Sequence, residues 1–169
     1  MTASEAERLV ATLTRHARTL AVAESLTGGL LAARIVSVPG ASAVLTGGIV
    51  AYATELKATI LGVDSGLLAR RGAVDADVAR QMADHVRSVC AVAGRPADLG
   101  LATTGVAGPD PQDGHPPGTV YLGIASPRGI RSVPLELDGS RADIRTHTVA
   151  RALDEALAEL AAMIAADAE

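Results

Sequence analysis

Apolar and polar positions recur along this chain with two different periods, and the switches between them mark out helices and strands. Residues 1–18 carry Glu5, Glu7, Arg8 and Arg15 among apolar positions and read as an amphipathic helix. Ser4 and Glu7 have capping-box spacing, so that helix is expected to start at Ser4. An extended apolar run follows at 19–23. Residues 30–38 return to helical spacing and stop at Pro39-Gly40. Residues 41–45 fit either type, 47–52 read as a buried strand, and 54–61 as a helix ended by Gly62. Residues 64–70 suit one or two further helical turns. Asp75 can cap a long helix to about Ala93, with Val78, Met82, Val86 and Val89 on one face. Residues 98–103 read as a strand, and the Pro- and Gly-rich stretch 111–118 is long enough to be a functional lid. Residues 119–125 and 129–137 read as a hairpin joined through Pro127-Arg128-Gly129. Ser140 and Asp143 cap a last helix whose apolar face includes Val149, Leu153, Leu157, Leu160 and Ile164.

Strands that alternate with helices and end in a hairpin predict a three-layer α/β/α domain with a mixed sheet. Its span is expected to be one domain, 1–169. Hydrophobic residues make up 49% of the chain and charged residues 20%, a globular composition. The core must be unusual, because there is no Trp and no Phe, and Tyr52 and Tyr121 are the only aromatics. Ala, Val, Leu and Ile must fill it, through close approach of the elements. A net charge of −4 and two tyrosines argue against a nucleic-acid partner. With no 18-residue apolar run and no leader pattern, no membrane partner is expected, and a cytoplasmic location follows as the default. Cys90 stands alone, which rules out an internal disulfide or a Cys-rich zinc site. His16, His85, His115 and His147 are scattered, so no metal site and no cofactor are expected.

The 15 basic residues are 14 Arg and one Lys. Arginine does not deprotonate in a protein, whereas a lysine amine does when its surroundings lower its pKa. Lys57 is therefore a candidate for a titrating role. It falls in the first turns of a helix fed by a strand, within Gly48-Ile-Val-Ala-Tyr-Ala-Thr-Glu-Leu-Lys57, and a helix N-terminus disfavours positive charge.

A second candidate is Ala23-Glu-Ser-Leu-Thr-Gly-Gly29, where a strand meets a helix. Free N–H groups and glycines there could bind an anion or stabilise an oxyanion, with Ser25 and Thr27 adding hydroxyls and Gly28 and Gly29 admitting a ligand to the backbone. Ser42, in Gly40-Ala-Ser42, reads alone as a simple N-cap. Thr104-Gly-Val-Ala-Gly-Pro109 offers a hydroxyl on Thr104 and a ligand-accessible backbone at Gly105. Arg141, after Gly139-Ser140, suits a phosphate.

Taken in order, these segments resemble the CinA carboxy-terminal domain family, the nicotinamide mononucleotide deamidases. The likeness also runs through Pro39-Gly-Ala-Ser42, Gly72-Ala-Val74 and Pro116-Pro-Gly-Thr-Val120, and covers nearly the whole chain. It implies hydrolysis of nicotinamide mononucleotide to nicotinic acid mononucleotide and ammonia by a metal-free Ser/Lys mechanism. It further implies that the serine matching Ser42 attacks, that Lys57 is the base, and that Ser25 and Thr104 assist. The residues themselves leave both serines open: Ser25 has the better anion cradle, while Ser42 is nearer Lys57 in sequence. Thr27, Gly28, Gly29, Tyr52, Gly105 and Arg141 are the expected substrate-binding positions. The expected partners are a small nucleotide substrate and a second copy in a dimer.

The chain departs from the family pattern at Ala41, Leu26, Thr54, Asp75 and His115, where Ser, Cys, Asn, Ser and Lys are usual. Two other readings are a non-catalytic nucleotide-binding or regulatory domain, and an amidase acting on another small amide. The lone lysine favours catalysis, because a site needing only charge would accept Arg.

Overall fold

The computed structural model describes residues 3–168. Helix α1 (Glu5–Arg15) leads into β1 (Leu20–Glu24), α2 (Leu30–Val36), a short 3-10 helix (Ala41–Ala43) and β2 (Leu45–Val50). Helices α3 (Thr54–Thr59), α4 (Ser65–Arg71) and α5 (Ala76–Val89) precede β3 (Leu99–Gly105). The chain then forms β4 (Thr119–Ser126), β5 (Gly129–Glu136) and the long α6 (Arg141–Asp167). Met1 and Thr2, within the amphipathic segment 1–18, and Glu169, the end of the expected domain, lie outside the described residues. Capping boxes close α1 at Ser4 and Glu7 and α6 at Ser140 and Asp143, while Asp75 caps α5 through the amides of Asp77 and Val78. No helix among the described residues is long and apolar enough to cross a membrane.

The five strands form one mixed sheet in the order β2-β1-β3-β4-β5. β1 runs parallel to both β2 and β3, and the β4–β5 hairpin adds two antiparallel strands. Helices cover both faces, giving the expected α/β architecture. One face is packed by α1, α2 and α6 through residues such as Leu9, Leu31, Ile35, Leu153 and Leu160. On the other face, α5 packs with the α3–α4 region through Val78, Met82, Val86 and Leu61.

A core without Phe or Trp closes by bringing backbones together. A Cβ on Gly100 of β3 would lie 2.0 Å from the Ala83 carbonyl oxygen, and one on Gly123 of β4 would lie 2.0 Å from that of Ala79. Helix α5 therefore rests directly on the strand backbone at these two points.

Several boundaries differ from the periodicity. β2 ends at Val50, so Tyr52 lies beyond it in the connection to α3. α5 stops at Val89, where Cys90 caps it and a tight Val92–Arg95 turn follows; Val89 is consequently exposed rather than on the packed face. β3 continues through Thr104 and Gly105, because the antiparallel ladder with β4 extends it to Val120.

The crossover from β1 to β2 packs on one face, and the route from β2 to β3 on the other. β1 thus stands at a topological switch point, and the crevice beyond its C-terminal end is the usual place for a ligand in an open α/β sheet.

Candidate active site

Ser25 is the first residue after β1, at the C-terminal end of that strand, and is almost fully buried. Lys57 reaches it from α3. The Lys57 side chain is fully buried, and its Nζ donates to Ser25 Oγ at 3.0 Å and to the Ala51 carbonyl at 2.8 Å. Burial disfavours the charged amine and lowers its pKa to about 8, against smaller opposing contributions from Asp113 and Glu55, whose negative charges favour the cation. Desolvation is the largest cause, and Lys57 lies in the last turn of α3, a helix of only six residues.

Glu24, immediately before Ser25, fixes the turn. Its buried carboxylate accepts hydrogen bonds from the backbone N–H groups of Gly29 (3.1 Å), Leu31 (3.0 Å) and Ala32 (2.8 Å). Gly28 donates to the Ser25 carbonyl, and Leu30 to that of Thr27. The N-terminus of α2 is therefore satisfied from within, and the Gly28 and Gly29 amides are not the free anion cradle that their sequence context suggested. Both glycines have positive φ, +59° and +96°, which makes the sharp turn possible. The amides of Leu26 and Thr27, directly after Ser25, have no hydrogen-bond acceptor among the described residues.

The structure does not bring Ser42 to this site. It is exposed in the 3-10 helix before β2, at the opposite end of the sheet from Ser25. Six residues of strand, about 20 Å, run between Ser42 and the connection to α3. Closeness in sequence misleads here because the strand carries the chain across the sheet.

Thr104 and Thr27 are buried and internally bonded. Thr104 Oγ1 donates to the Ala73 carbonyl at 2.6 Å, and Thr27 Oγ1 lies 2.8 Å from Thr103 Oγ1. Gly105 is needed for packing, since a Cβ there would meet the Thr119 carbonyl oxygen at 2.6 Å. Tyr52, one residue after Ala51, and Arg141 meet at the surface: the guanidinium donates to Tyr52 Oη and to the Gly108 carbonyl, both at 2.8 Å.

Three further residues carried no role in the sequence reading. Glu24 lay inside the second motif as an acid at a strand end. Arg145 is one helical turn after Arg141 and binds the carbonyls of Leu26 (3.0 Å) and Thr27 (2.8 Å); its i, i+4 spacing from Arg141 was the available signal. Asp113, in the 111–118 stretch, accepts from the Ala73 amide at 2.8 Å and brings negative charge toward Lys57. Nothing in its local sequence distinguishes it from an ordinary turn aspartate.

The profile of the CinA C-terminal domain matches residues 2–160. A CinA-like protein of Frankia casuarinae is 55% identical over 142 residues, 84% of this chain and 32% of its own length. A putative competence-damage inducible protein of a Geobacillus species is 43% identical over 92% of this chain and 36% of its own. The chain thus spans about a third of the length of these curated relatives. The crystal structure of the competence/damage inducible protein CihA from Agrobacterium tumefaciens superposes with a TM-score of 0.84 at 31% identity, covering 94% of this chain and 98% of that one. A CinA superfamily protein from Klebsiella pneumoniae gives 0.86 at 28% identity, covering 93% and 96%.

Proposed function

The chain belongs to the CinA C-terminal domain family, and from that membership and the Ser25–Lys57 pair we propose that it hydrolyses nicotinamide mononucleotide to nicotinic acid mononucleotide and ammonia. The observation that carries the reading is a fully buried amine, with its pKa lowered to about 8, in hydrogen-bond contact with a serine hydroxyl at 3.0 Å. A base is useful when its pKa lies near the working pH, and a serine becomes nucleophilic when a neutral base is within reach of its proton.

In this mechanism neutral Lys57 takes the proton of Ser25 as Oγ attacks the carboxamide carbon. The Leu26 and Thr27 amides, unpaired within the described residues and adjacent to the nucleophile, receive the developing oxyanion. The tetrahedral intermediate collapses with cleavage of the C–N bond, and the Lys57 ammonium protonates the departing ammonia. Lys57 then takes a proton from water, which attacks the acyl-serine ester, and returns it to Ser25 as the carboxylate product leaves. Arg141 and Tyr52, at the surface beside the connection after β2, hold the 5′-phosphate, a role suited to a guanidinium with five N–H donors. Ser25 is the nucleophile in this scheme, and Ser42 has no part in the chemistry of its own chain.

Ammonia release from nicotinamide mononucleotide tests this. Ser25→Ala and Lys57→Arg are each expected to lower kcat by about a thousandfold or more, while Ser42→Ala keeps the Ser25–Lys57 pair and most of the rate. A folded Ser25→Ala protein that still turns over, or a Ser42→Ala protein that does not, would rule the assignment out.

A further inference from the structure

The amine of Lys57 has two hydrogen-bond partners among the described residues, and only one of them takes part in the proposed chemistry. Ser25 Oγ, at 3.0 Å, supplies the proton. The Ala51 carbonyl, at 2.8 Å, exchanges none, yet it is the closer contact. The two partners differ in kind. A hydroxyl can donate or accept, whereas a carbonyl oxygen only accepts.

That difference decides how a neutral amine can lie. Neutral Lys57 carries two N–H bonds and one lone pair, in three staggered positions about Cε–Nζ. One N–H must face Ala51, because a lone pair turned toward a carbonyl oxygen would forfeit a buried hydrogen bond. The lone pair then has two positions left. One faces Ser25, and the other faces the side on which Nζ has no partner among the described residues. The Ser25 hydroxyl can donate, so the lone pair settles on it. Without the carbonyl, an N–H would face Ser25 as readily as the lone pair.

The carbonyl is itself held in place. Ala51 is the first residue after β2, and its N–H donates to the Glu24 carbonyl at 2.9 Å, which continues the β1–β2 ladder by one bond. Its side chain is fully buried in the α5-side core. Ser25 is fixed from the other side of β1, where its N–H donates to the Thr103 carbonyl at 3.0 Å. Lys57 is anchored at its backbone too, since its carbonyl accepts from the Val63 N–H at 2.9 Å. Sheet and turn thus set the serine, the amine and the carbonyl against one another.

We propose that the main-chain carbonyl of Ala51 is a positioning group that turns the lone pair of Lys57 toward Ser25. A base oriented by a third group is the general logic of an activated nucleophile. Here the third group is backbone, which no side-chain motif reveals. The inference deepens the reading above and rests on Ser25 and Lys57 as nucleophile and base, not on which amide is cleaved. The carbonyl also accepts more strongly from an ammonium than from an amine, so it opposes the fall in pKa that burial causes. Asp113, in the loop after β3, and Glu55, on α3, act on the amine in the same sense. Glu24, beside Ser25, turns its carboxylate to the amides at the start of α2.

A backbone ester in the full chain tests it. Replacing Tyr52 by its α-hydroxy acid keeps the phenol and weakens the Ala51 carbonyl as an acceptor. It also removes the Tyr52 N–H, which donates to no acceptor among the described residues. The α-hydroxy acid of Ala53 is the control, because neither the Ala53 N–H nor the Tyr52 carbonyl has a partner among the described residues. Lys57 is the sole lysine, so isotopically labelled lysine gives a single Cε resonance whose titration reads its pKa directly. The Tyr52 ester is expected to lower that midpoint by about one pH unit, and the Ala53 ester to leave it in place. Reactivity is read with a fluorophosphonate: Ser25 Oγ bonds to phosphorus, fluoride leaves, and Lys57 takes the proton. Above both midpoints this labelling is expected to slow about tenfold in the Tyr52 ester and not in the control. Circular dichroism checks folding. Should the ester not fold, Ala51→Val, which pushes on the same peptide from the core side, is read in its place with the same expected directions. An unmoved midpoint in the folded variant would overturn the proposal. So would a lowered midpoint with an unchanged labelling rate, since the carbonyl would then only satisfy a buried N–H, or a wild type that does not label at Ser25. Labelling needs no mononucleotide, so a failed deamidase assay and a failed test of Ala51 are separate results.

Discussion

Three effects compete at Lys57. Burial lowers the amine's pKa and outweighs the carboxylates of Asp113 and Glu55, which raise it, leaving a value of about 8. At pH 7 about a tenth of such amines are neutral, against fewer than one in a thousand for an ordinary lysine. If the neutral form is the base, kcat for ammonia release climbs about tenfold per pH unit up to about pH 8 and then levels off. Asp113→Asn removes a charge that favours the cation, so the midpoint of that rise moves to lower pH. A rate independent of pH from about 6 to 9, or a midpoint displaced upward in Asp113→Asn, would count against Lys57 as the base. The residue itself was legible because it is the only lysine among 15 basic side chains. Which of the two candidate serines, Ser25 or Ser42, lies beside it was not. Ser25 is 32 residues away in sequence and meets Lys57 only because β1 and β2 are parallel neighbours with ends aligned, a long-range fact no local pattern encodes.

Capping chemistry made the starts of α1, α5 and α6 readable, since Ser4, Asp75 and Ser140 each satisfy amides that would otherwise lack partners. Strand ends were less so, because they are set by the neighbouring strand. β3 runs on to Gly105 only because β4 is there to pair with it. The shortage of aromatic residues foretold close packing but not its location, which is α5 against Gly100 and Gly123. Gly123→Ala tests that contact. Its Cβ would meet the Ala79 carbonyl oxygen at 2.0 Å, a backbone atom that cannot rotate aside, so helix and sheet must separate. A loss of about 3 kcal/mol is expected, from the upper end of what overpacking costs. For a chain of this size that is a fall in Tm of roughly 6–12 °C, read by thermal denaturation. Gly94→Ala provides the contrast. Nothing lies within 4 Å of a Cβ there, so only the strain of its positive φ, +75°, is felt, about 1 kcal/mol.

Across the whole molecule, the site is assembled by its last helix. The turn after β1, the connection after β2 and the loop after β3 come from distant parts of the chain, and the first two turns of α6 tie them together. Arg145 holds the carbonyls of Leu26 and Thr27, and Arg141 holds Tyr52 Oη and the Gly108 carbonyl. The two arginines should fail differently. Arg145→Met frees the Leu26–Thr27 peptide, whose N–H is one of the two proposed oxyanion donors, so it should lower kcat by about a hundredfold, as loss of one preorganised donor does, with little change in KM. Arg145→Lys should not restore the rate, because a single ammonium cannot reproduce the paired Nε and Nη2 contacts. Arg141→Met should instead raise KM for the mononucleotide by about tenfold or more, the worth of a charge-assisted hydrogen bond, and barely affect the nucleoside that lacks the phosphate. Steady-state kinetics on both compounds separate the cases. If Arg141→Met weakens the two substrates equally, Arg141 serves the loop and not the phosphate. If Arg145→Met leaves kcat at the wild-type value, the turn after Ser25 keeps its shape without α6, held by Glu24 and the two left-handed glycines alone.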